Sequence, residues 1–264
     1  MSTGPLAQVA TVTKYEILKY LRGRRILGVL VLVALIVGLI LGLPPALGVA
    51  YASTPNAFVA SFATFAGLLA ILSGVLFAAD ALVSEHEKRT GYFLFPNPVR
   101  RETLVLGKIA ASLIVSAALI SVYFGAAAIS ALAITGSLSW DVGLSYVYAL
   151  AYVACVVGIA YLLSASLKST VASTVLTFFL FTLIFTLVGA LVAAAQINPW
   201  FVPTSASGII GDVLGSPTIA PGPGGGFGGG FVPDPATSLL VFAAYAVVGA
   251  VLAIVLFRRR ELSS

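Results

Sequence analysis

Residues 26–43 read ILGVLVLVALIVGLILGL, and no charged or amide side chain interrupts them. A helix needs about 20 apolar residues to cross the hydrocarbon core of a bilayer. Backbone groups find no water there, so such a run must be helical. Five further apolar runs follow, at about 58–83, 109–135, 142–165, 171–195 and 237–257. The sequence therefore predicts one all-α domain over residues 1–264, a polytopic membrane protein with six transmembrane helices.

The composition agrees with this prediction. The chain is 60% hydrophobic and only 9% charged, with a mean hydropathy of +1.10, whereas a soluble domain carries about 25% charged residues. The formal net charge of +5 suggests basic cytoplasmic loops and not nucleic-acid binding. The single cysteine, Cys155, excludes a disulfide framework within the chain.

All 14 Lys and Arg residues fall on one side of the six-span arrangement. Five precede the first span, five lie between the second and third, one is Lys168, and three follow the sixth. The loops on the other side carry only Asp141, Asp212 and Asp234. The positive-inside rule then predicts a multi-pass protein of the plasma membrane with both termini cytoplasmic.

Residues 5–25 are too polar to span the membrane. On a helix, one face would hold Leu6, Val9, Ala10, Ile17, Tyr20 and Leu21, and the other Lys14, Glu16, Lys19 and Arg22. This pattern predicts an amphipathic helix in the membrane interface, with its basic face toward anionic headgroups. The alternative is a frayed basic tail.

The outer loop, residues 196–236, has two parts. Thr204 or Ser205 is a suitable cap for a short helix through Leu214, which can re-enter the outer leaflet if protein covers its ends. Residues 221–231, PGPGGGFGGGF, predict a flexible loop, since they lack the Lys-Ser/Thr of a phosphate-binding loop.

Residues for chemistry are scarce. One histidine, His86, and one cysteine cannot form a typical metal cluster, and no Ser-His pair lies in a dry cleft. The spans hold no relay of buried carboxylates, Asp80 being near the end of the second span. We therefore expect no catalytic, cofactor-binding or metal-binding residues. Because a G-x-x-x-x-G-K-[ST] motif is absent from the sequence, any ATP that drives the protein must bind to another polypeptide.

Two minor patterns concern packing. Gly38 and Gly42 have the small-xxx-small spacing of a helix contact. Five tyrosines lie in or near the third and fourth spans: Tyr123, Tyr146, Tyr148, Tyr152 and Tyr161. Most are expected to anchor the helices at the membrane interface, and the alternative is that some line a substrate path.

The stretch between spans with the densest group of charges is 84–108, SEHEKRTGYFLFPNPVRRETLVLGK, called here the 84–108 loop. Four apolar residues, Tyr92 to Phe95, are closed off by Pro96 and Pro98, which predicts a short, rigid elbow. Asn97 is a suitable cap for the helix that becomes the third span. Exposed aromatics on such an elbow suit contact with a partner protein, and the alternative is that they lie among lipid headgroups.

This loop resembles that of ABC-2-type permeases, the membrane subunits of ATP-binding-cassette transporters. Their loop runs from an acidic residue through a Gly-Thr-like turn to apolar residues, then to a proline, a basic residue and a Gly-Lys pair. The matching positions here, with the turn in Thr-Gly order, are Glu85, Thr90, Gly91, Tyr92, Phe93, Leu94, Phe95, Pro96, Pro98, Arg100, Gly107 and Lys108. The order of spans and loops is also similar.

The resemblance implies an exporter-like permease subunit. It would pair with a second permease, such as another copy of itself, and each would dock a separate cytoplasmic ATPase that binds the ATP. Residues Thr90 to Pro98 would form the coupling helix, moved when the ATPases close. The alternative class is a membrane scaffold, assembly factor or receptor without transport, and the missing catalytic residues disfavour a membrane-embedded enzyme.

Overall fold

The computed structural model describes residues 4–84, 101–215 and 231–259, and this part of the chain is helical and contains no strand. Six helical stretches are long and apolar enough to cross a membrane, which confirms the predicted fold class. The elements are α1 (Pro5–Arg22), α2 (Arg24–Ala46), α3 (Pro55–Ala78), α4 (Arg101–Thr135), α5 (Trp140–Ser166), α6 (Thr170–Phe179), a π-helical turn (Leu180–Ile184), α7 (Phe185–Ala194), α8 (Pro203–Ala206), α9 (Ile209–Asp212) and α10 (Pro235–Arg259).

The segment before the first span is an ordered helix. α1 begins with Pro5 in its first turn, where the missing N–H costs nothing, and it ends at Gly23, whose extended backbone (φ −79°, ψ 143°) separates it from α2. The α1 helix packs against α4, where a Cβ built on Gly107 would lie 2.7 Å from the Val12 side chain. The predicted helix is thus present instead of a frayed tail, and its position in a membrane interface stays a prediction.

The helix of the first span runs beyond Leu43, where the sequence placed the end of the apolar run. α2 continues through Pro44 and Pro45 to Ala46. A proline in a helix leaves the carbonyl four residues earlier without its N–H donor, which for Pro45 is that of Leu41. The Tyr51 hydroxyl donates a hydrogen bond to this carbonyl. Replacement of the lost donor explains how the helix tolerates Pro45.

The core lies among α3, α4, α5 and α10. The backbones of α5 and α10 approach each other closely, because a Cβ on Gly158 would lie 2.6 Å from the carbonyl oxygen of Ala246. A Cβ on Gly249 would lie 2.5 Å from the carbonyl oxygen of Gly158. Glycine thus allows backbone-to-backbone packing here. Gly38 and Gly42 form no such contact within the described part of the chain, because no atom of another helix lies within 4 Å of a Cβ built on either.

The fifth span contains a π-helical turn, Leu180–Ile184, between α6 and α7. The Thr186 hydroxyl donates to the carbonyl of Phe181, five residues earlier, at 3.3 Å. The predicted span of residues 171–195 is otherwise present, from Thr170 to Ala194.

The segment after the fifth span packs into the bundle. It forms two one-turn helices, α8 and α9, and not one helix through Leu214. Neither Thr204 nor Ser205 caps them, because Val202 and Gly208 occupy the capping positions, so that prediction is wrong. The Ser145 hydroxyl of α5 donates to the carbonyl of Ile210 at 2.6 Å. Membrane re-entry stays a prediction, and residues 216–230, which include nearly all of the predicted flexible loop, lie outside the described residues.

Candidate functional site

The structure describes both flanks of the 84–108 loop but not its centre. The predicted coupling residues all lie outside the described residues: Glu85, Thr90, Gly91, Tyr92, Phe93, Leu94, Phe95, Pro96, Pro98 and Arg100. The described flanks are residues 76–84, called here the α3 end, and the first two turns of α4 from Arg101. Their contacts form the candidate site.

The α3 end departs from the sequence prediction. The second span was expected to run to Val83, but regular helix stops at Ala78 and residues 79–82 form a turn. A helix end leaves carbonyl groups without intrahelical donors, and buried carbonyls need other partners. Here, side chains from five other helices supply polar contacts to the backbone of this segment.

The carbonyl of Phe77 receives two of these contacts. The Tyr20 hydroxyl of α1 and the Ser112 hydroxyl of α4 each lie 2.7 Å from it as donors. The hydroxyls of Ser112 and Tyr161, from α5, lie 2.9 Å apart, and those of Tyr20 and Ser112 lie 3.2 Å apart. Two helices, α1 and α4, thus contact one buried carbonyl of α3, and α5 joins them through the hydroxyl of Ser112.

The turn after α3 is held in the same way. The Ser173 hydroxyl of α6 donates to the carbonyl of Ala79. The Ser164 hydroxyl of α5 accepts from the N–H groups of Leu82 and Val83, at 3.0 and 3.2 Å. The serines that make these contacts are buried, and a buried hydrogen bond contributes about 1 kcal/mol when formed and costs more when one partner is removed.

An ion pair closes the site between α1 and α4. Lys108 is only 2% exposed, and its Nζ lies 2.6 Å from Oε1 of Glu16. The same Nζ donates to the carbonyl of Ala81 at 3.2 Å. Burial raises the pKa of Glu16, but the charges and hydrogen bonds of Lys108 and Lys19 lower it by more, so the carboxyl pKa lies below its ordinary value.

A second ion pair joins α2 to the α3 end. Nη1 of Arg25 lies 2.6 Å from Oδ2 of Asp80 and 3.2 Å from the carbonyl oxygen of Leu76. Arg25 is half-exposed, so this pair is worth less than a buried one. It joins the start of the first span to the end of the second.

The α1 helix contacts both flanks of the loop. Tyr20 reaches the α3 end, and Thr13 donates to the carbonyl of Gly107 at the start of α4, at 3.1 Å. Glu16 was expected with Lys14, Lys19 and Arg22 on the face of α1 that turns toward the headgroups. It instead faces α4 and pairs with Lys108 there.

The sequence missed most of this site. Interface anchoring was the expected role of most tyrosines, but Tyr123, Tyr152 and Tyr161 are fully buried. The hydroxyl of Tyr123 donates to the carbonyl of Phe62 at 2.8 Å. The available signal was hydroxyl side chains inside apolar helices, which must find partners, but the sequence does not say which carbonyls they meet.

The contacts of the site hold the α3 end to the helices around it. Among the described residues, no three His, Cys, Asp or Glu side chains lie together in a way that could hold a metal ion. Cys155 is buried in α5 and away from the polar contacts of the α3 end. What the arrangement provides is a set of polar contacts that join the α3 end to α1, α2, α4, α5 and α6.

Comparison with known proteins adds one result. No curated protein matches this chain. The model of a protein family described as "Protein of unknown function (DUF2705)" matches residues 26–263, and therefore covers all six spans and the 84–108 loop. On the extent of this match, the chain belongs to the DUF2705 family.

Proposed function

We propose that this chain is the permease subunit of an ATP-driven ABC transporter of exporter-like type. Two permease subunits, most simply two copies of this chain, would enclose the substrate path in the plasma membrane. Two separate cytoplasmic ATPases would bind and hydrolyse ATP. Each would dock on an 84–108 loop, with Tyr92 to Phe95 as its apolar contact and Pro96 and Pro98 keeping that contact rigid.

The observation that carries the proposal is the attachment of the α3 end. Its backbone is held by side chains from α1, α2, α4, α5 and α6, through the partners described for Phe77, Ala79 and Ala81 among others. A loop that only joined two spans would not require such a connection. A push on the loop would reach five helices at once, because they bond to the same short segment.

The α3 end is built so that a displacement of the loop would pass to the neighbouring helices and would not be lost in local bending. A flexible helix end would dissipate a displacement of a few ångströms by local bending. Here the non-helical turn 79–82 is buried and its polar groups are bonded to neighbouring helices. Packed elements tend to move as units between discrete arrangements. The turn is therefore suited to moving the helices together.

The division into two components follows from the sequence. The chain has no ATP-binding G-x-x-x-x-G-K-[ST] motif. The two ion pairs of the site lie at the ends of the spans and connect helices, so they do not form a carboxylate relay across the membrane. Energy from a partner ATPase is the proposal most consistent with both features.

The direct test is purification of the tagged full-length chain from its native membrane in a mild detergent. We expect a soluble ATPase with a Walker A motif to co-purify, and the complex, but not the chain alone, to hydrolyse ATP. The Phe93→Ala/Phe95→Ala variant tests the contact itself: it should insert as the wild type does and recover less ATPase. Co-purification of other proteins without any ATPase would favour the scaffold or assembly alternative and contradict the proposal.

A further inference from the structure

A pocket lies at the end of the bundle opposite the 84–108 loop. The last turn of α10 is at the loop end, since Arg258 pairs with Glu102 of α4 at 2.9 Å. The 25 residues of α10 place its first turn about 37 Å away. There the turn before α8, α8 itself and the start of α10 surround the pocket. On the predicted topology this end of the bundle is outside the cell.

The walls of the pocket are mostly apolar. Trp200 and Phe231 line it from two different segments of the chain, with Pro199 and Pro233 beside them. The turn that carries Trp200 is closed by a hydrogen bond from the N–H of Val202 to the carbonyl of Pro199, at 3.0 Å. The pocket holds about 350 Å³ including its open mouth, which is enough space for a small organic ligand.

One acidic side chain, Asp234, lines the same pocket. It caps α10, because its Oδ2 accepts hydrogen bonds from the hydroxyl and the N–H of Thr237. These bonds hold the pKa of the Asp234 carboxyl below its ordinary value, so the group is charged at neutral pH. No Lys or Arg among the described residues forms an ion pair with it. The countercharge must therefore come from outside the described chain.

We propose that this pocket binds an organic ammonium ion, with the carboxylate of Asp234 as its countercharge and the rings of Trp200 and Phe231 around its alkyl groups. Such an ion suits both features, because aromatic faces attract a cation and also remove its alkyl groups from water.

Other occupants explain less of the pocket. A divalent metal ion takes about six oxygen ligands, and the described residues hold no group of three acidic, His or Cys side chains. A neutral apolar ligand would leave the charge of Asp234 without a role. Anchoring at the membrane interface accounts for Trp200 but not for Phe231 and Asp234 in the same pocket.

Binding of an ammonium ion here goes beyond the proposed function and does not depend on it, since a scaffold could carry the same pocket. Two sources supply this chemistry: soluble quaternary amines and the choline headgroup of phosphatidylcholine. If the chain is a permease, the pocket lies on the side to which an exporter delivers its substrate.

The experiment uses the fluorescence of Trp200 in the full-length chain. The other tryptophan, Trp140, is 80% exposed at the start of α5, and it is replaced by phenylalanine so that the emission reports on the pocket. The protein, in a maltoside detergent that has no ammonium group, is titrated with choline at constant ionic strength. Dimethylbutanol, the uncharged carbon analogue of choline, is the matched ligand. Binding of tritiated choline is measured in parallel.

We expect choline to bind saturably and to change the emission of Trp200, and dimethylbutanol to bind about fivefold more weakly. Asp234→Asn keeps a residue that caps helices well and should weaken choline about fivefold without affecting dimethylbutanol. The control Asp212→Asn removes a carboxylate that does not line the pocket and should keep the wild-type affinity. Phe231→Leu keeps apolar surface but removes a ring, and should weaken choline about threefold.

Vesicles then identify the source of the ammonium group. Equal choline affinity in phosphatidylglycerol and phosphatidylcholine vesicles would support a site for a soluble amine. Loss of choline binding only in phosphatidylcholine would support a site for the lipid headgroup.

Absence of tritiated choline binding in detergent would overturn the proposal. Equal affinities for choline and dimethylbutanol would also overturn it, as would equal losses in Asp234→Asn and Asp212→Asn. Thermal unfolding of each variant checks its fold, and all titrations are made below the melting transition.

Discussion

Buried Lys108 and partly buried Glu16 form an ion pair, with Nζ and Oε1 2.6 Å apart, across 92 positions of sequence. The pair ties the helix before the first span to the beginning of the third. Lys108 also donates to the carbonyl of Ala81, so α1, α4 and the α3 end meet at one ammonium group. This contact connects the two flanks of the proposed coupling loop.

Removing one member of this pair should destabilise the protein strongly. Lys108→Met leaves a carboxylate with Lys19 as its remaining partner, and Glu16→Gln leaves a buried ammonium without its countercharge. Each should cost about 3 kcal/mol, and the double variant less than the sum of the two. Thermal unfolding in detergent measures the three variants. Additive effects would show that the two charges do not interact.

The same pair predicts a pH dependence. The folded-state pKa of Glu16 lies below its ordinary value of 4.5. Glu16 therefore stabilises the fold fully above the unfolded value, and this contribution is lost as the pH falls through the folded pKa. The difference in melting temperature between the wild type and Glu16→Gln should be constant near neutral pH and shrink below pH 4.5. A difference that grew on acidification would contradict the assignment.

The glycine contact between α5 and α10 predicts a difference between two Gly→Ala substitutions. Gly249→Ala should destabilise by about 1–3 kcal/mol, because its Cβ would lie 2.5 Å from the backbone of Gly158. Gly42→Ala is the control, since its Cβ meets no atom within 4 Å, and it should be neutral or slightly stabilising. Equal melting temperatures for both variants would argue against the backbone contact.

The topology prediction is tested by thiol labelling in intact cells. In a Cys155→Ala background, single cysteines at Ser84, Ser169 and Ser263 should resist an impermeant reagent, because the positive-inside rule places them in the cytoplasm. Cysteines at Ser53 and Ser216 should react. Labelling at Ser169 from outside would refute the arrangement of the spans, and lysed cells provide the control that each cysteine is reactive.

The elbow of the 84–108 loop predicts two separable defects. Phe93→Ala/Phe95→Ala should weaken ATPase recovery, since aromatic anchors often contribute about 2 kcal/mol or more each to an interface. Pro96→Gly/Pro98→Gly should keep binding but reduce substrate-dependent ATP hydrolysis, because a flexible elbow absorbs movement. The measurements are a pull-down at matched expression and an ATPase assay. Unchanged recovery of the ATPase by the alanine variant would remove the coupling role from the aromatics.

The sequence by itself determined the fold class, because a span depends on local composition: about 20 apolar residues without water have only the helix available. It also indicated α1, because the alternation of apolar and polar residues that predicts this helix is contained within the segment itself. It did not locate the end of α3 at Ala78, which depends on partners distant in sequence such as Ser173. It also missed the passage of α2 through Pro45, which depends on the hydrogen bond that Tyr51, beyond the helix end, makes back to the carbonyl of Leu41.

Only the tertiary structure decided which polar side chains meet. Glu16 looked like part of a solvated face until its distance to Lys108 was known, and Ser112 looked like any hydroxyl in a span. Gly158 and Gly249 had no more signal than Gly38 and Gly42, yet only the first pair forms a close contact. In all three cases the interaction joins residues from different helices, and a periodic pattern within one helix carries no information about which neighbour it will face.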